Sequence, residues 1–535
     1  MRSFSGETDV KFLQKVVGVL ENQNEFLVQK LQEMAKEIAE LKGLDPARSQ
    51  QRLLDLEQQL SVRNKMLFGT SSEKRPRNND GDTESPPPTP ASRPRNGHGP
   101  RSQPKLPLIE VIHDLPLDKR GCPACGGELE RMGDQSEDSE EIDVLARQFA
   151  VLLHKRLKYR CDCNGAVVTA PGPVKLQEGG RYSPAFAVEV AVDKYLDNIP
   201  LERQVTRMRR EGLVVDSQTL WDQIDRLAAI VAFTYLAIWQ TIRQEPLVHA
   251  DETRWRLMNK KQTEIKTWQV WGLACQDLVA YKILDSRGND AGREILAGYH
   301  GIVMADGYGV YESLAHDRQG RLDGAEPPGT FQLVQCWAHG RRPFIEIENV
   351  FPTEAREILD LIGKLFAVER LVPEELPEAE RLAQLADVRQ QHSAPILDAI
   401  WDWCAATRKK HLPSTTLAKA IAYLENRKAG LSAFLTNPIV PLTNNHMERE
   451  LRNWAVGRKV HYGSRSLRGT EVAAILYTLL ESAKLCGKDP RDYLLTLAYR
   501  NLEQPETILL PRDFHPPAET ETEPPKLKVQ LPAAR

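Results

Sequence analysis

Five consecutive heptads near the start of the chain constrain its shape more tightly than any other feature of the sequence. With Val10 at position a, the a sites are Val10, Val17, Asn24, Leu31 and Ile38. The d sites are Leu13, Leu20, Leu27, Met34 and Leu41. Nine of the ten are apolar, and a 3.5-residue repeat held this long is the signature of a helix that supercoils with a partner. Asn24 is the residue type that, at an a site, fixes register and strand number. One amphipathic helix packing on its own domain is the alternative. Gly43, Asp45 and Pro46 interrupt the stripe, and Leu53, Leu56, Leu60 and Leu67 resume it. A coiled coil over 8–68, and with it a homo-oligomer, is the expectation.

The rest of the 535 residues suffice for about three further units at roughly 150 residues each. The longest apolar run, Leu227–Trp239, is 13 residues with Thr234 inside it. A bilayer needs about 20, so a buried helix and no membrane span is expected. No apolar stretch follows Arg2, so no secretory leader is expected either. Eight cysteines are too sparse for a disulfide scaffold, which points to a reducing, cytoplasmic setting. The net charge of −3 selects no partner, but its distribution is uneven. Residues 63–105 hold nine Lys/Arg against four Asp/Glu, and Glu128–Asp143 is acidic. Unlike patches of this kind are compatible with local contact to nucleic acid. Segment 69–106, rich in Gly, Ser, Pro, Arg and Asn, has no apolar period and reads as a flexible basic linker.

Residues 107–173 carry Cys122-Pro-Ala-Cys125-Gly-Gly and Cys161-Asp-Cys163. A CxxC turn puts two thiolates on one side, the glycines permit the turn, and a second pair can close a tetrahedral zinc site. Four thiolates leave no position for water, so such a zinc ribbon is structural; reduced structural thiols are the alternative. A strand near Val151–Leu157 is expected before the second pair. Segment 174–245 reads as helices. A basic helix from Pro200 carries Arg203, Arg207, Arg209 and Arg210, Gly212 turns the chain, and Asp216 or Ser217 caps the next helix. That is a helix-turn-helix pattern, also found in small bundles, and its arginines point to DNA.

From 246 the pattern changes to strands. Thr267–Cys275 and Leu278–Leu284 predict a hairpin turning at Gln276-Asp277. Asp251 is expected to end one strand and Asp306 another, and Glu448 to lie on a helix in Asn444-Asn445-His446-Met447-Glu448-Arg449. Each alone could be a turn former. Together, three carboxylates make a hard-oxygen site for two Mg²⁺ or Mn²⁺ ions, the arrangement that activates a hydroxyl and stabilises a leaving oxygen in phosphodiester chemistry. Six basic residues and two acidic ones lie between Leu442 and Arg468. Among them Arg449, Arg452, Arg458 and Lys459 suit phosphate contacts, with a solvated helix face as the alternative. Glu252 should point to the opposite face from Asp251. Cys336-Trp-Ala-His339 supplies only two metal ligands and reads as a buried thiol and a turn-ordering histidine; Arg341 and Arg342 after it suit phosphate.

Taken with Met66-Leu67-Phe68-Gly69-Thr70-Ser71-Ser72-Glu73-Lys74, Lys194-Tyr195, His249-Ala-Asp251-Glu-Thr253, Asp306-Gly-Tyr308 and Gly457-Arg458-Lys459, these motifs resemble the insertion-sequence 66 family of bacterial DDE transposases, the large TnpC-like subunit. Their order and spacing extend to about residue 495. Arg254-Trp255, His446-Met447 and His461-Tyr462 depart from the family's commoner residues. The resemblance implies a multidomain α+β chain with an RNase H-like α/β catalytic core in two parts, 246–345 and 436–495. An all-helical insertion, 346–435, separates them, and a disordered tail, 496–535, follows. It implies Asp251, Asp306 and Glu448 as the DDE triad, cutting at terminal inverted repeats and transfer of 3′-ends to target DNA. It also implies small accessory proteins and a bacterial, nucleoid-associated location. A non-enzymatic zipper, zinc and helix-turn-helix regulator, or another RNase H-like nuclease such as a junction resolvase, are the rival readings.

Overall fold

The computed structural model describes residues 149–160, 167–258, 268–316 and 331–516. The heptad segment, the linker and the cysteines Cys122, Cys125, Cys161 and Cys163 lie outside the described residues. The first described strands are β1 (Lys158–Arg160) and β2 (Val167–Thr169), an antiparallel pair with Lys158 opposite Thr169. The expected strand at Val151–Leu157 is thus displaced: those residues carry no strand, Val151 and Leu153 are exposed, and only the Leu157 carbonyl and the Arg156 side chain reach Ala170 after β2.

Four helices follow: α1 (Pro184–Tyr195), α2 (Leu201–Arg210), α3 (Ser217–Ile230) and α4 (Ala232–Ile242). Ser183 caps α1 by accepting the Phe186 N–H, and Pro184 stands in the first turn, where its missing N–H costs nothing. Gly212 takes φ +88° between α2 and α3, a left-handed turn that favours glycine. Asp216 is the cap of α3, accepting the Thr219 N–H at 2.6 Å. These helices do not form a domain apart. Ala187, Val190, Leu220, Ile224 and Leu227 share one continuous apolar cluster with strand residues Val248, Val270 and Leu273.

The sheet contains β3 (Leu247–Arg254), β4 (Gln269–Ala274), β5 (Val279–Leu284), β6 (Ile302–Ala305) and β7 (Gln332–Gln335), in the order β5-β4-β3-β6-β7. The β4–β5 hairpin turns where the sequence predicts. β3, β4 and β5 are antiparallel neighbours, while β3, β6 and β7 run parallel. Between β5 and β6 lies α5 (Asn289–Ile295), and between β6 and β7 lies α6 (Gly309–His316). Period-two alternation divides β6: Val303 and Ala305 enter the cluster shared with α1–α4, whereas Ile302 and Met304 enter a second cluster.

That second cluster belongs to the helices after β7. They are α7 (Trp337–Glu346), α8 (Pro352–Glu369), α9 (Glu378–Val388), α10 (Ala394–Arg408), α11 (Thr416–Asn426) and α12 (Lys428–Ser432). Ile358, Ile362, Ile400, Ile421 and Leu424 pack there with Met304 and Val334. Arg389, buried in a π-turn between α9 and α10, pins the layer. It donates to both oxygens of Glu369 at 2.8 and 2.7 Å and to the carbonyls of Phe434 and Pro438. Such a charge is tolerated inside because its donors find partners.

The chain returns through α13 (Asn445–Glu450) and α14 (Arg452–His461) to α15 (Leu467–Leu485) and α16 (Pro490–Glu503). α15 is buried on nearly every side, and it closes the β5 edge. Ser482 Oγ accepts from Val279 N and donates to Val279 O, and Thr478 Oγ1 accepts from Tyr281 N. Edge amides that would otherwise seek another strand are thereby satisfied. The tail expected over 496–535 does not hold for 496–516, because α16 and its sequel carry apolar anchors. Leu497, Ala498, Leu509 and Phe514 are buried, and Tyr493 donates to the Leu509 carbonyl at 2.8 Å.

Candidate active site

Asp251 does not end its strand. It is the fifth residue of β3, opposite Gly272 of β4, and antiparallel pairing continues to Arg254. On the other side of β3 the parallel pairs stop at His249–Met304. Carrying that register two residues on sets Asp251 level with Asp306, the residue after β6. Adjacent strands are about 4.8 Å apart, so the two acids flank the point where β3 and β6 part. Asp306 is fixed by its own turn, accepting the Tyr308 N–H at 2.9 Å. At Gly307 a Cβ would press on the Tyr423 hydroxyl and the Arg427 guanidinium, so a larger residue there would have to push those side chains aside. Arg427 of the α11–α12 turn donates to the Gly307 carbonyl at 3.0 Å and pairs with Glu312 at 2.7 Å.

The third acid arrives on α13, and three contacts seat that helix. Buried Asn444 donates through Nδ2 to the Ala250 carbonyl at 2.9 Å. Its Oδ1 is therefore the acceptor for His249 Nδ1–H at 2.9 Å, which fixes the tautomer. The Asn444 amide donates to Cys336 Sγ at 3.2 Å. His446 Nε2 donates to the Cys275 carbonyl at 2.7 Å. Met447 fills the space that Gly272 leaves on β4. Burial, with His446 adjacent, brings His249 down to about 4, so the ring is neutral at pH 7.

The electrostatics follow from this assembly. The Asp251 carboxyl is pushed well above the usual carboxylate range, first by burial, then by Glu252, Asp306 and Glu448. Asp306 and Glu448 thus lie near enough to act on Asp251, but among the described residues the three carboxylates are not found within 4.8 Å of one another. Glu252 faces the other way, as its position in the strand requires. It accepts Arg287 Nε at 2.9 Å and the Tyr311 hydroxyl at 3.0 Å, and Arg287 also stacks 3.9 Å from the Tyr308 ring centre. Glu448 meets a further pair: Cys336, His339 and Glu448 offer ligand atoms within 4.8 Å of one another. Sequence reasoning gave Cys336 and His339 without their third neighbour, and it missed Asn444 and Gly272 as the parts that bring Glu448 in.

The expected basic residues separate into two kinds. Arg203, Arg209 and Arg210 on α2 and Arg449, Arg452 and Lys459 on α13–α14 are exposed, as is Arg342 on α7, with Arg341 half-buried. Arg207 instead pairs with Asp193 and, at 4.0 Å, Glu211, holding α2 to α1. Arg458 turns inward, donating to Thr253 Oγ1 at 3.1 Å and to the Arg254 carbonyl. Burial, then Arg256 and Arg254, work against its charge, so three guanidinium groups crowd the end of β3. A cleft of about 630 Å³ opens beyond them, lined among others by Lys194, Arg203, Trp221, Trp255, His461 and Tyr462. No helix among the described residues is long and apolar enough to cross a membrane.

Residues 179–472 match the model of the transposase IS66 family, and residues 119–164 match that of the zinc-finger binding domain of transposase IS66. The second match spans Cys122, Cys125, Cys161 and Cys163. Among relatives, the uncharacterized protein y4qI of Sinorhizobium fredii is 30% identical over 442 residues, covering 80% of this chain and 79% of its own. The uncharacterized protein y4jD of the same organism is 29% identical over 414 residues, 75% of this chain and 78% of its own. The acids and their scaffold lie inside a family match that spans more than half of the sequence: the chain belongs to the IS66 family of transposases.

Proposed function

We propose that this chain cuts DNA at the terminal inverted repeats of an insertion sequence and joins the freed 3′-ends to target DNA. In this reading Asp251, Asp306 and Glu448 hold two divalent cations, Mg²⁺ or Mn²⁺. The observation that carries it is the strand register that sets Asp251 of β3 level with Asp306 after β6, with Glu448 near enough to act on Asp251. Three acids gathered against their own repulsion fit divalent cations, and their hard oxygens suit Mg²⁺ or Mn²⁺ rather than a soft metal. When bound, such ions neutralise charge on the scissile phosphate and favour the deprotonated hydroxyl.

The chain's own residues would do the remainder. Asp251, at a fixed point of β3, and Asp306, pinned by Tyr308 N–H, orient the attacking and leaving oxygens in line. Glu448 closes the site from α13, at a position set by Asn444 and Met447. Arg449, Arg452 and Lys459, with Arg341, Arg342 and the α2 arginines Arg203, Arg209 and Arg210, would guide strand phosphates. A sheet of three antiparallel strands continued by two parallel ones, interrupted by a helical layer before α13, supports an RNase H-like core over 246–345 and 436–495 with the insertion 346–435. Cys122, Cys125, Cys161 and Cys163 would hold one structural zinc in a ribbon over 107–173, and the 8–68 heptads would pair copies of the chain. Accessory proteins from the same element fit the family.

Purified protein with end-sequence DNA and Mg²⁺ or Mn²⁺ should nick and join strands, and Asp251→Ala and Glu448→Ala should not. Variants as active as the parent would overturn the triad. Cleavage of branched DNA without joining would point to a resolvase, and metal-independent footprints without cleavage to a regulator. For the ribbon, metal analysis should find about one zinc per finger, lost in Cys122→Ser.

A further inference from the structure

We propose that Cys336, His339 and Glu448 form a second metal site, selective for zinc-like ions, which shares Glu448 with the acidic centre and inhibits it when filled. The site itself rests on geometry alone; the inhibition rests also on the proposed role of Glu448.

Three features carry the site. The ligand atoms, one from each residue, lie within 4.8 Å of one another, and His339 Nδ1 stands 3.6 Å from Glu448 Oε1. Ligands on a tetrahedral zinc sit under about 4 Å apart, so closing the site needs a shift of about 1 Å. Second, His339 Nδ1 and Glu448 Oε1 are both buried and find no hydrogen-bond partner among the described residues. Their separation is too long for a hydrogen bond, so a buried imidazole nitrogen and a buried carboxylate oxygen face each other across a gap that a cation would fill. Third, Cys336 stands buried just before the first residue of α7, and because burial raises its thiol above the ordinary value, a bound cation would have to displace the proton. Its sulfur already accepts the Asn444 N–H at 3.2 Å, the kind of outer contact that steadies a metal-bound thiolate.

The frame is rigid as well. Cys336 and His339 are three residues apart on the first turn of α7, so they share a face. That turn is anchored by Trp337, whose amide donates to the Leu442 carbonyl at 2.8 Å and whose indole donates to the Leu431 carbonyl at 2.9 Å. Sulfur, imidazole nitrogen and one carboxylate suit zinc or cobalt and not magnesium. Asp251 and Asp306 with the same Glu448 suit the reverse. One carboxylate cannot serve both ions at once, so zinc at Cys336 and His339 takes a ligand from the acidic pair.

Co²⁺ titration of the full-length protein reads the site without any reaction. The parent should take one equivalent more than Cys336→Ser or His339→Gln, and that equivalent should show the visible spectrum of a tetrahedral ion with a single thiolate. Equal uptake by all three proteins would overturn the site. Nicking of end-sequence DNA in Mg²⁺, with and without added Zn²⁺, reads the coupling, each protein being scaled to its own rate without added zinc. The parent should slow by about tenfold or more and Cys336→Ser by far less, in proportion to the loss of one ligand. An extra cobalt equivalent with zinc-insensitive nicking would overturn the shared carboxylate. If no protein nicks DNA at all, the proposed activity fails, while the cobalt titration still decides the site.

Discussion

Asp251 and Glu252 are neighbours in one strand and opposites in circumstance. Strand alternation sends them to different faces of β3. Glu252 enters the face shared with Tyr311 and receives two donors, Arg287 and the Tyr311 hydroxyl. Asp251 enters the other face, where among the described residues its carboxylate accepts only the adjacent Glu252 amide, at 2.8 Å; the charges acting on it are Glu252, Asp306 and Glu448. Both carboxyls are raised, chiefly by burial. Only Glu252 has cationic and hydroxyl partners that offset the cost. An acid held half-buried against like charges adds nothing to stability, which favours Asp251 over Glu252 for the proposed role.

The largest expected effect breaks the two apart. Asp251→Asn should reduce strand nicking by more than about 100-fold, the loss seen when even an outer-shell metal partner goes. It should also raise the melting temperature in metal-free buffer, because it removes a charge that burial and three acids disfavour. Glu252→Gln keeps an acceptor for Arg287 and Tyr311 and should leave nicking within the same order of magnitude. Glu252→Leu should cost about 1–3 kcal/mol by orphaning the Tyr311 hydroxyl. Parallel assays of nicking and thermal unfolding check all three. Equal loss of activity in Asp251→Asn and Glu252→Gln would remove the distinction.

Gly272→Ala approaches the same contrast without touching an acid. Gly272 pairs with Asp251 across the strands, and a Cβ there collides with Met447. Met447 precedes Glu448, so the added methyl should move α13 outward and draw its carboxylate from the pair. A displacement of about 1 Å is enough for a loss of about 100-fold, with a stability cost of about 1–3 kcal/mol from overpacking. The signature is a nicking loss partly recovered by Met447→Ala in the same chain, since that substitution restores the space.

Much of this frame was legible in the sequence, and the limits have physical causes. The β4–β5 hairpin, Asp306 at the end of β6, the Asp216 cap and the long helical run after 350 follow from local pattern and turn chemistry. Pairing partners do not. That Gly272 faces Asp251 depends on which strands meet, and nothing near either residue encodes it. Glu448 joins Cys336 and His339 only because Asn444 ties three distant segments together through hydrogen bonds that no spacing rule announces. That α1–α4 share an apolar cluster with the sheet was not legible for a related reason: an apolar helix face looks the same whether it meets its own bundle or a sheet. Residues 496–516 were counted in the tail because the few that matter there, Leu509 and Phe514, are sparse in the sequence and bury deeply.

Lys194 offers a basic counterpart to Asp251. It is a cation that burial holds down to about 8, with Glu202 pulling the other way and Arg465 adding to the depression. Its ordinary value is 10.5, so between about 8 and 10.5 the unfolded chain binds more protons than the folded one, and stability rises with pH across that window. The destabilisation is fully present below about 8 and lost by 10.5. Lys194→Met should therefore be more stable than the parent at pH 7, by no more than about 3–4 kcal/mol from the size of the shift, with the gap closing towards pH 10.5. Thermal melts across pH 7–10.5 test it, and a gap independent of pH would show that packing and not charge is responsible.

Arg458 and Lys459 repeat the contrast of β3 on a helix, with the smallest effect. Arg458 spends donors on Thr253 and on the Arg254 carbonyl, tying α14 to the strand that carries Asp251. Lys459 is exposed and has no ion pair among the described residues. A phosphate contact made by a free cation releases about 0.9 of a counterion, so each one lost lowers the slope of log affinity against log salt by about that amount. Lys459→Ala should take about 0.9 from the slope for duplex DNA, weaken binding similarly across sequences, and leave the melting temperature in place. Arg458→Ala should do the reverse, lowering the melting temperature while the slope holds, because its charge is committed inside the protein. Binding isotherms at several salt concentrations separate the two, and a larger slope change in Arg458→Ala than in Lys459→Ala would mean that the inward guanidinium swings out to meet DNA.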